Sequence, residues 1–382
     1  MSSYSSIYLT AEHLAFRDSV ARFVDEQIIP NINQWEEDGR LPPSLYKQAA
    51  ELGLFGMGYP EELGGYEADP FYKVLSTIEI ARAGSGGLLA NLFTQDIAIP
   101  PLVLDKQHPL RESVCTAVLT GEQRAALAIT EPSGGSDVAN IQTRAKLDGD
   151  HYVINGSKTF ITSGMDADWY TVAVRTGGGG AAGVSLILVP RDAPGFTRTP
   201  LKKMGWWCSD TATLYFDDCR VPVANRIGPE NAGFPFIMQN FNSERLGLAA
   251  QAWGLANTVF EEALDWAQQR QTFGKPIIHH QVVRHKLTDM RARLDATRAY
   301  LFEVTWLIAE NKAKPADLAQ LKNQCTDLIE YIAPEAVQIL GGAGYMRETK
   351  AERVFRETKV LSIGGGTREI MNELAARQHG WL

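Results

Sequence analysis

The chain is poor in cysteine. It carries four in 382 residues, Cys115, Cys208, Cys219 and Cys325, with no C-x-x-C spacing among them. That excludes a disulfide framework and a zinc knuckle, and it points to a reducing compartment. Positive charge is also scarce: 37 Lys and Arg stand against 45 Asp and Glu, a formal net charge of -8, so no electrostatic footprint of a nucleic-acid binder is present. No apolar run reaches the length of a membrane span. Residues 1–10 contain no apolar stretch and the first basic residue is Arg17, so neither a secretory signal nor an Arg-rich transit segment is visible. A cytoplasmic setting is expected, or the mitochondrial matrix if a transit peptide has been removed.

Several catalytic signatures are missing as well. The chain has no G-x-S-x-G elbow, no G-x-x-x-x-G-K-[ST] and no H-E-x-x-H, so serine-hydrolase, P-loop and zincin chemistry lack their minimal residues. His279, His280 and His285 do not have a zinc-ligand spacing and read as surface or helix-cap histidines. Gly178, Gly180 and Gly183 satisfy G-x-G-x-x-G in form. A strand pattern follows them, however, so no helix N-terminus is available for a phosphate and the run reads as a hairpin loop.

What is present is an ordinary globular balance, 45% hydrophobic, at a length of two or three domains. Residues 10–120 show apolar positions at helical spacing, as in Leu14, Phe16, Val20, Phe23, Val24 and Ile28, punctuated by prolines. Segments 72–83 and 87–99 are apolar nearly all round, which predicts buried helices. From about Ala126 the pattern changes to short β-branched and aromatic runs at 151–154, 159–162, 169–175, 184–189 and 211–216, with Asn155-Gly156 as a hairpin turn. Helix returns from Phe234. Residues 244–269 run almost unbroken, with Ala249, Ala250, Ala252 and Ala256 allowing close approach of a neighbour, and helices follow at 285–309 and 315–340, with Pro334 a candidate kink. The expected fold is therefore α+β and multidomain: an N-terminal all-α domain (1–120), a middle antiparallel β-barrel-like domain (121–232) and a C-terminal four-helix-bundle-like domain (233–382).

The loop Thr130-Glu131-Pro132-Ser133-Gly134-Gly135-Ser136-Asp137 offers backbone N–H groups and hydroxyls suited to a planar heterocycle or a phosphate. Alone it reads equally well as a plain connection. It is followed in order by Asn155-Gly156-Ser157-Lys158-Thr159-Phe160-Ile161-Thr162, Asp217-Asp218-Cys219-Arg220-Val221-Pro222, Arg270-Gln271-Thr272-Phe273-Gly274-Lys275-Pro276 and Gln338-Ile339-Leu340-Gly341-Gly342-Ala343-Gly344. With these motifs in one register, the whole chain resembles the acyl-CoA dehydrogenase family.

The resemblance implies a FAD enzyme that converts an acyl-CoA thioester to a trans-2-enoyl-CoA, with an electron-transferring flavoprotein as acceptor, in a homotetramer built as a dimer of dimers. It places Leu127, Ile129, Thr130 and Ser136 along the flavin, Phe160 against the ring where many relatives have Trp, and Thr162 as the hydroxyl partner at N5. It sets Arg270 against the FAD pyrophosphate of a neighbouring subunit, Phe273 at the adenine end, and Gln281 nearby. Gln338, Gly341 and Gly342 come from the opposite subunit, and Thr367 completes the cofactor set.

The reaction needs a desolvated carboxylate near the α-carbon. In most of the family it is a glutamate in the C-terminal loop, but here that loop reads Ile363-Gly364-Gly365-Gly366-Thr367, with Gly365 in the glutamate's place. In the branch that includes isovaleryl-CoA and long-chain acyl-CoA dehydrogenases the base sits on a C-terminal-domain helix, and Asn242-Ser243-Glu244-Arg245-Leu246 matches that place. Glu244 is then the expected base. The expected substrate contacts are Ser136, Asn242, Arg245, Gly365 and Gly366, with the Gly365 N–H available to the thioester oxygen. Asn242 departs from the acidic residue that many relatives use near the pantetheine. The small Gly365 is expected to open space for branched or bulky acyl groups. Two other readings stay open: a flavin-dependent oxidase of acyl-CoA or nitroalkane type, and a non-catalytic acyl-CoA-binding homologue.

Overall fold

The computed structural model describes residues 7–382, so the reading of residues 1–10 lies partly outside the described residues. The chain opens with helices α1 (Ala11–Phe23), α2 (Ile32–Asp38), α3 (Pro43–Glu51), α4 (Pro70–Ala81), α5 (Gly86–Leu92), α6 (Gln95–Ala98), α7 (Pro100–Leu104) and α8 (Arg111–Leu119). Pro43, Pro70 and Pro100 sit in first turns, where a missing N–H costs nothing. The single helix expected at 87–99 is two helices. Thr94 lies between them, and its hydroxyl donates to the carbonyls of Ala90 and Asn91, competing with the helical ladder.

The middle segment holds β1 (Ala125–Ala128), β2 (Arg144–Asp148), β3 (His151–Thr162), β4 (Trp169–Arg175), β5 (Val184–Pro190), β6 (Phe196–Pro200), β7 (Thr211–Pro222) and β8 (Arg226–Ile227). They form one sheet in the order β6-β7-β3-β2-β4-β5-β8, with β1 beside β4. The sheet is mixed rather than purely antiparallel, because β1 runs parallel to β4 and β2 meets β4 in parallel at Arg144 and Arg175. The glycine run at 177–183 is the β4–β5 hairpin loop, as expected.

Asn155-Gly156 does not turn the chain. The dipeptide lies inside β3 at a bulge, with Gly156 at φ 142°. A Cβ there would stand 2.7 Å from Thr143 Cα, and Asn155 exchanges side-chain hydrogen bonds with Asp218 across the sheet. The hairpin turn is Gly149-Asp150, closed by the Asp148–His151 pair and enabled by Gly149 at φ 63°.

The C-terminal segment comprises α9 (Gly233–Gln269), a small hairpin of β9 (Gln271–Thr272) and β10 (Lys275–Pro276), α10 (Gln281–Ala309), α11 (Pro315–Leu340), α12 (Lys350–Ile363) and α13 (Arg368–Gln378). Helix α11 continues through Pro334 to Leu340. The small-residue stripe on α9 acts as expected: a Cβ on Gly254 would come to 2.7 Å from Ala81 Cβ, so α4 lies directly against α9.

One apolar core joins the terminal helices and takes in Leu186 and Leu188 of β5; their alternates Ile187 and Val189 enter a second core with Tyr152, Tyr170, Phe196 and Phe216. The buried Glu357 of α12 ties the three segments together. Its carboxylate accepts from the Gly86 N–H at the start of α5 at 2.7 Å and from the Trp206 N–H after β6 at 2.9 Å. All four cysteines are free and buried.

Candidate active site

Strands β1 and β3 build one wall. β1 delivers half-buried Leu127, then buried Ile129 and half-buried Thr130, while Ser136 is exposed in the loop beyond. That loop is anchored from below. Glu131 Oε1 accepts from Lys158 Nζ and from the Thr143 N–H, both at 2.8 Å, and its Oε2 accepts from the Gln142 N–H at 2.6 Å; Lys158 also donates to the Ile129 carbonyl at 3.0 Å. Burial works against the Glu131 carboxylate, but the Lys158 charge and these donors outweigh it and hold its carboxyl below the ordinary range. Burial lowers the Lys158 ammonium to about 8.

A second irregularity in β3, between Lys158 and Ile161, frees the Thr159 N–H to bond the Thr130 carbonyl at 2.8 Å. The same bulge puts Phe160 in the left-handed region, φ 60°, and leaves the residue 70% exposed. A bulky residue held that way is strained and aimed outward. Half-buried Thr162 pairs with Thr211 at the end of the strand.

The second wall comes from α9 and the loop between α12 and α13. A Cβ built on Gly365 would stand 3.7 Å from the Glu244 carboxyl, so the sequence's two alternative sites for a base share one place in space. Burial pushes the Glu244 carboxyl up from its usual range, while the charges of Arg245, Lys322 and Lys73 pull it back. Arg245 is buried and donates from Nη1 to Asn242 Oδ1 at 3.0 Å, so the Asn242 oxygen already has a partner within the chain. Thr367 caps α13 by accepting from the Ile370 N–H.

The expected vacancy at Gly365 is absent. Leu248, one helical turn beyond Glu244, puts its Cδ1 where a side chain on Gly365 would begin. Gly365 and Gly366 also adopt φ 67° and 99°, which suits glycine and opposes a side chain.

A third set lies apart. Arg270, Phe273, Gln281, Gln338, Gly341 and Gly342 are all exposed, and Phe273, at φ 51°, is 95% exposed. No hydrogen bond joins this set to the β1–β3 wall among the described residues. His280 Nε2 lies 2.9 Å from Thr272 Oγ1, and no group of three or more His, Cys, Asp or Glu among the described residues could hold a metal.

The acyl-CoA dehydrogenase N-terminal, middle and C-terminal domain families match residues 10–122, 126–219 and 231–380. The chain belongs to the acyl-CoA dehydrogenase family. The long-chain specific acyl-CoA dehydrogenase of Rattus norvegicus is 35% identical over 373 residues, 97% of this chain and 86% of that protein. A candidate acyl-CoA dehydrogenase from Mycobacterium smegmatis superposes with a TM-score of 0.96 at 45% identity, covering 98% of this chain and 100% of that one. A Mycobacterium smegmatis glutaryl-CoA dehydrogenase solved with FADH2 gives 0.92 at 25% identity, covering 98% and 96%.

Members of the acyl-CoA dehydrogenase family are FAD-dependent, and the chain is an oxidoreductase of that family. The residues present fit the cofactor: exposed Phe160 follows Thr159, whose N–H bonds Thr130 at the start of a loop where a Cβ on Gly134 would meet nothing within 4 Å. Among the described residues no helix is long and apolar enough to cross a membrane. Lys158, Glu131, Lys322, Lys73 and Leu248 were not singled out from sequence. Lys322 had a signal, since it falls on the stripe Leu318, Lys322, Cys325, Ile329 that is otherwise apolar.

Proposed function

We propose that this protein dehydrogenates an acyl-CoA thioester between its α- and β-carbons to the trans-2-enoyl-CoA, with Glu244 as the base. The observation that carries the reading is the position of Glu244: it faces the Gly365 loop, lifted in pKa by burial, and no hydrogen-bond donor engages its carboxylate among the described residues. Its lone pairs are free for a substrate proton. Gly365 has an N–H with no protein acceptor among the described residues, which would donate to the negative charge that grows on the thioester oxygen. Bound FAD supplies the acceptor for the β-hydride. Leu127, Ile129, Thr130, Ser136, Phe160, Thr162 and Thr367 would hold it from one chain. Arg270, Phe273, Gln281, Gln338, Gly341 and Gly342 would hold it from a neighbouring chain; their exposure in a single chain supports that division and the dimer-of-dimers assembly.

An electron-transferring flavoprotein is the proposed acceptor, in a cytoplasmic or mitochondrial-matrix setting. Anaerobic bleaching of the bound flavin across a panel of straight and branched acyl-CoAs tests the function. Bleaching with at least one thioester is expected, and none with any member would sink the reading. Fast peroxide release in air would redirect it to an oxidase.

A further inference from the structure

Three cations act on Glu244: Arg245, its neighbour on α9, Lys73 on α4 and Lys322 on α11. Two of them are engaged elsewhere. Lys73 lies 2.8 Å from Asp96 Oδ2, and Arg245 donates to Asn242. Lys322 is different: its side chain is fully buried, and its Nζ donates to the Gly366 carbonyl, its one partner among the described residues. Tying down a carbonyl needs only a neutral donor, and burying an ammonium for that purpose is costly. The cost makes sense if an opposite charge is to be held nearby, and the carboxylate acting on Lys322 is that of Glu244.

We propose that Lys322 is a positioning residue for the base. One buried ammonium fastens the 364–366 loop to α11 through the Gly366 carbonyl and stands as a fixed positive charge beside Glu244. The neighbouring Asn323 reinforces the first task, donating to the Arg368 carbonyl at 3.1 Å and to Asn372 Oδ1 at 2.9 Å. The second task opposes burial and favours the ionised form of Glu244, the form that can take a proton from substrate. Burial pushes Lys322 itself down to about 8, with the Glu244 charge holding it up and Arg245 lowering it further. The proposal rests on Glu244 being the base.

Two variants separate the tasks. Lys322→Met keeps an apolar stem and removes both charge and donor, whereas Lys322→Gln removes the charge and keeps a donor for the Gly366 carbonyl. The rate of anaerobic flavin bleaching by a saturating acyl-CoA is followed in FAD-loaded protein from about pH 5.5 to about pH 9. In both variants the acidic limb should move up by about one pH unit, a loss of about tenfold on the limb, with the alkaline plateau retained in Lys322→Gln. A limb that stays in place in both overturns the proposal and leaves Lys322 merely structural. If neither variant folds, infrared difference spectra of wild type minus Glu244→Gln at neutral pH decide: carboxylate bands are expected, and a protonated carboxyl band overturns the proposal. Glu244→Gln also separates the two levels. If it still bleaches, the base assignment and the proposal fall together; if it is silent while the Lys322 limb stays in place, the proposal alone falls.

Discussion

Lys158 Nζ and Glu131 Oε1 meet at 2.8 Å with both side chains out of solvent, and this pair fastens the loop at 130–137 to the strand that carries Phe160. Removing one partner leaves the other charge buried and alone. Lys158→Met should therefore lower stability by about 3–5 kcal/mol, measured by urea unfolding, and purified protein should carry much less FAD. The double variant Lys158→Met, Glu131→Leu should recover part of that stability; if it recovers none, the pair is not the cause.

Glu244→Gln should keep its FAD, since Glu244 is not among the residues that would hold the cofactor. Its flavin should bleach about 100- to 10,000-fold more slowly, the range for loss of a positioned base. Stopped-flow absorbance under nitrogen reads this directly, and a wild-type rate would reject the assignment.

Moving the base back to the loop should fail. A Gly365→Glu, Glu244→Gly exchange places a side chain at φ 67° on top of Leu248 Cδ1 and should show no substrate-driven bleaching. The simpler Gly365→Ala should cost about 1–3 kcal/mol. Adding Leu248→Ala should make the combined loss smaller than the sum of the two single losses, because the substitutions share one space. Additive losses in a double-mutant cycle would show that Leu248 does not fill it.

Glu357 gives the fold a pH dependence. Burial, with the Glu36 charge beside it, raises its carboxyl from 4.5 to about 8, against the pull of the Gly86 and Trp206 N–H groups and Arg353. A raised carboxyl contributes stability that is complete below the unfolded value and is lost as pH rises through the folded one. Melting temperature should therefore fall as pH rises from about 4.5 to about 8, with Glu357 contributing to the fall. Glu36→Gln should flatten the fall, and an equally steep fall in that variant would rule out the pair.

The order of helical, β and helical segments was legible because period and composition change sharply near Ala126 and Phe234. Asn155-Gly156 was misleading for a physical reason: a glycine that permits a turn equally permits a bulge, and only the nearness of Thr143 decides between them. At the site, Glu244 enters as the proposed base through what Gly365 lacks. Its surroundings could not be read that way, since Lys73, Leu248 and Lys322 come from α4, α9 and α11 and converge only through packing. Phe160 carried no sign in its residue type that a bulge would turn it outward.

The Glu357 carboxylate bears on how this chain can be divided. The composition changes look like seams between modules that could be exchanged with those of a relative. A graft of the middle segment alone, however, must reproduce the Trp206 N–H at the right distance, and a graft of the first segment must do the same for Gly86, or α12 is left with a buried acid deprived of a donor. A working chimera would have to carry this three-way joint across as one piece, along with whatever segments it crosses.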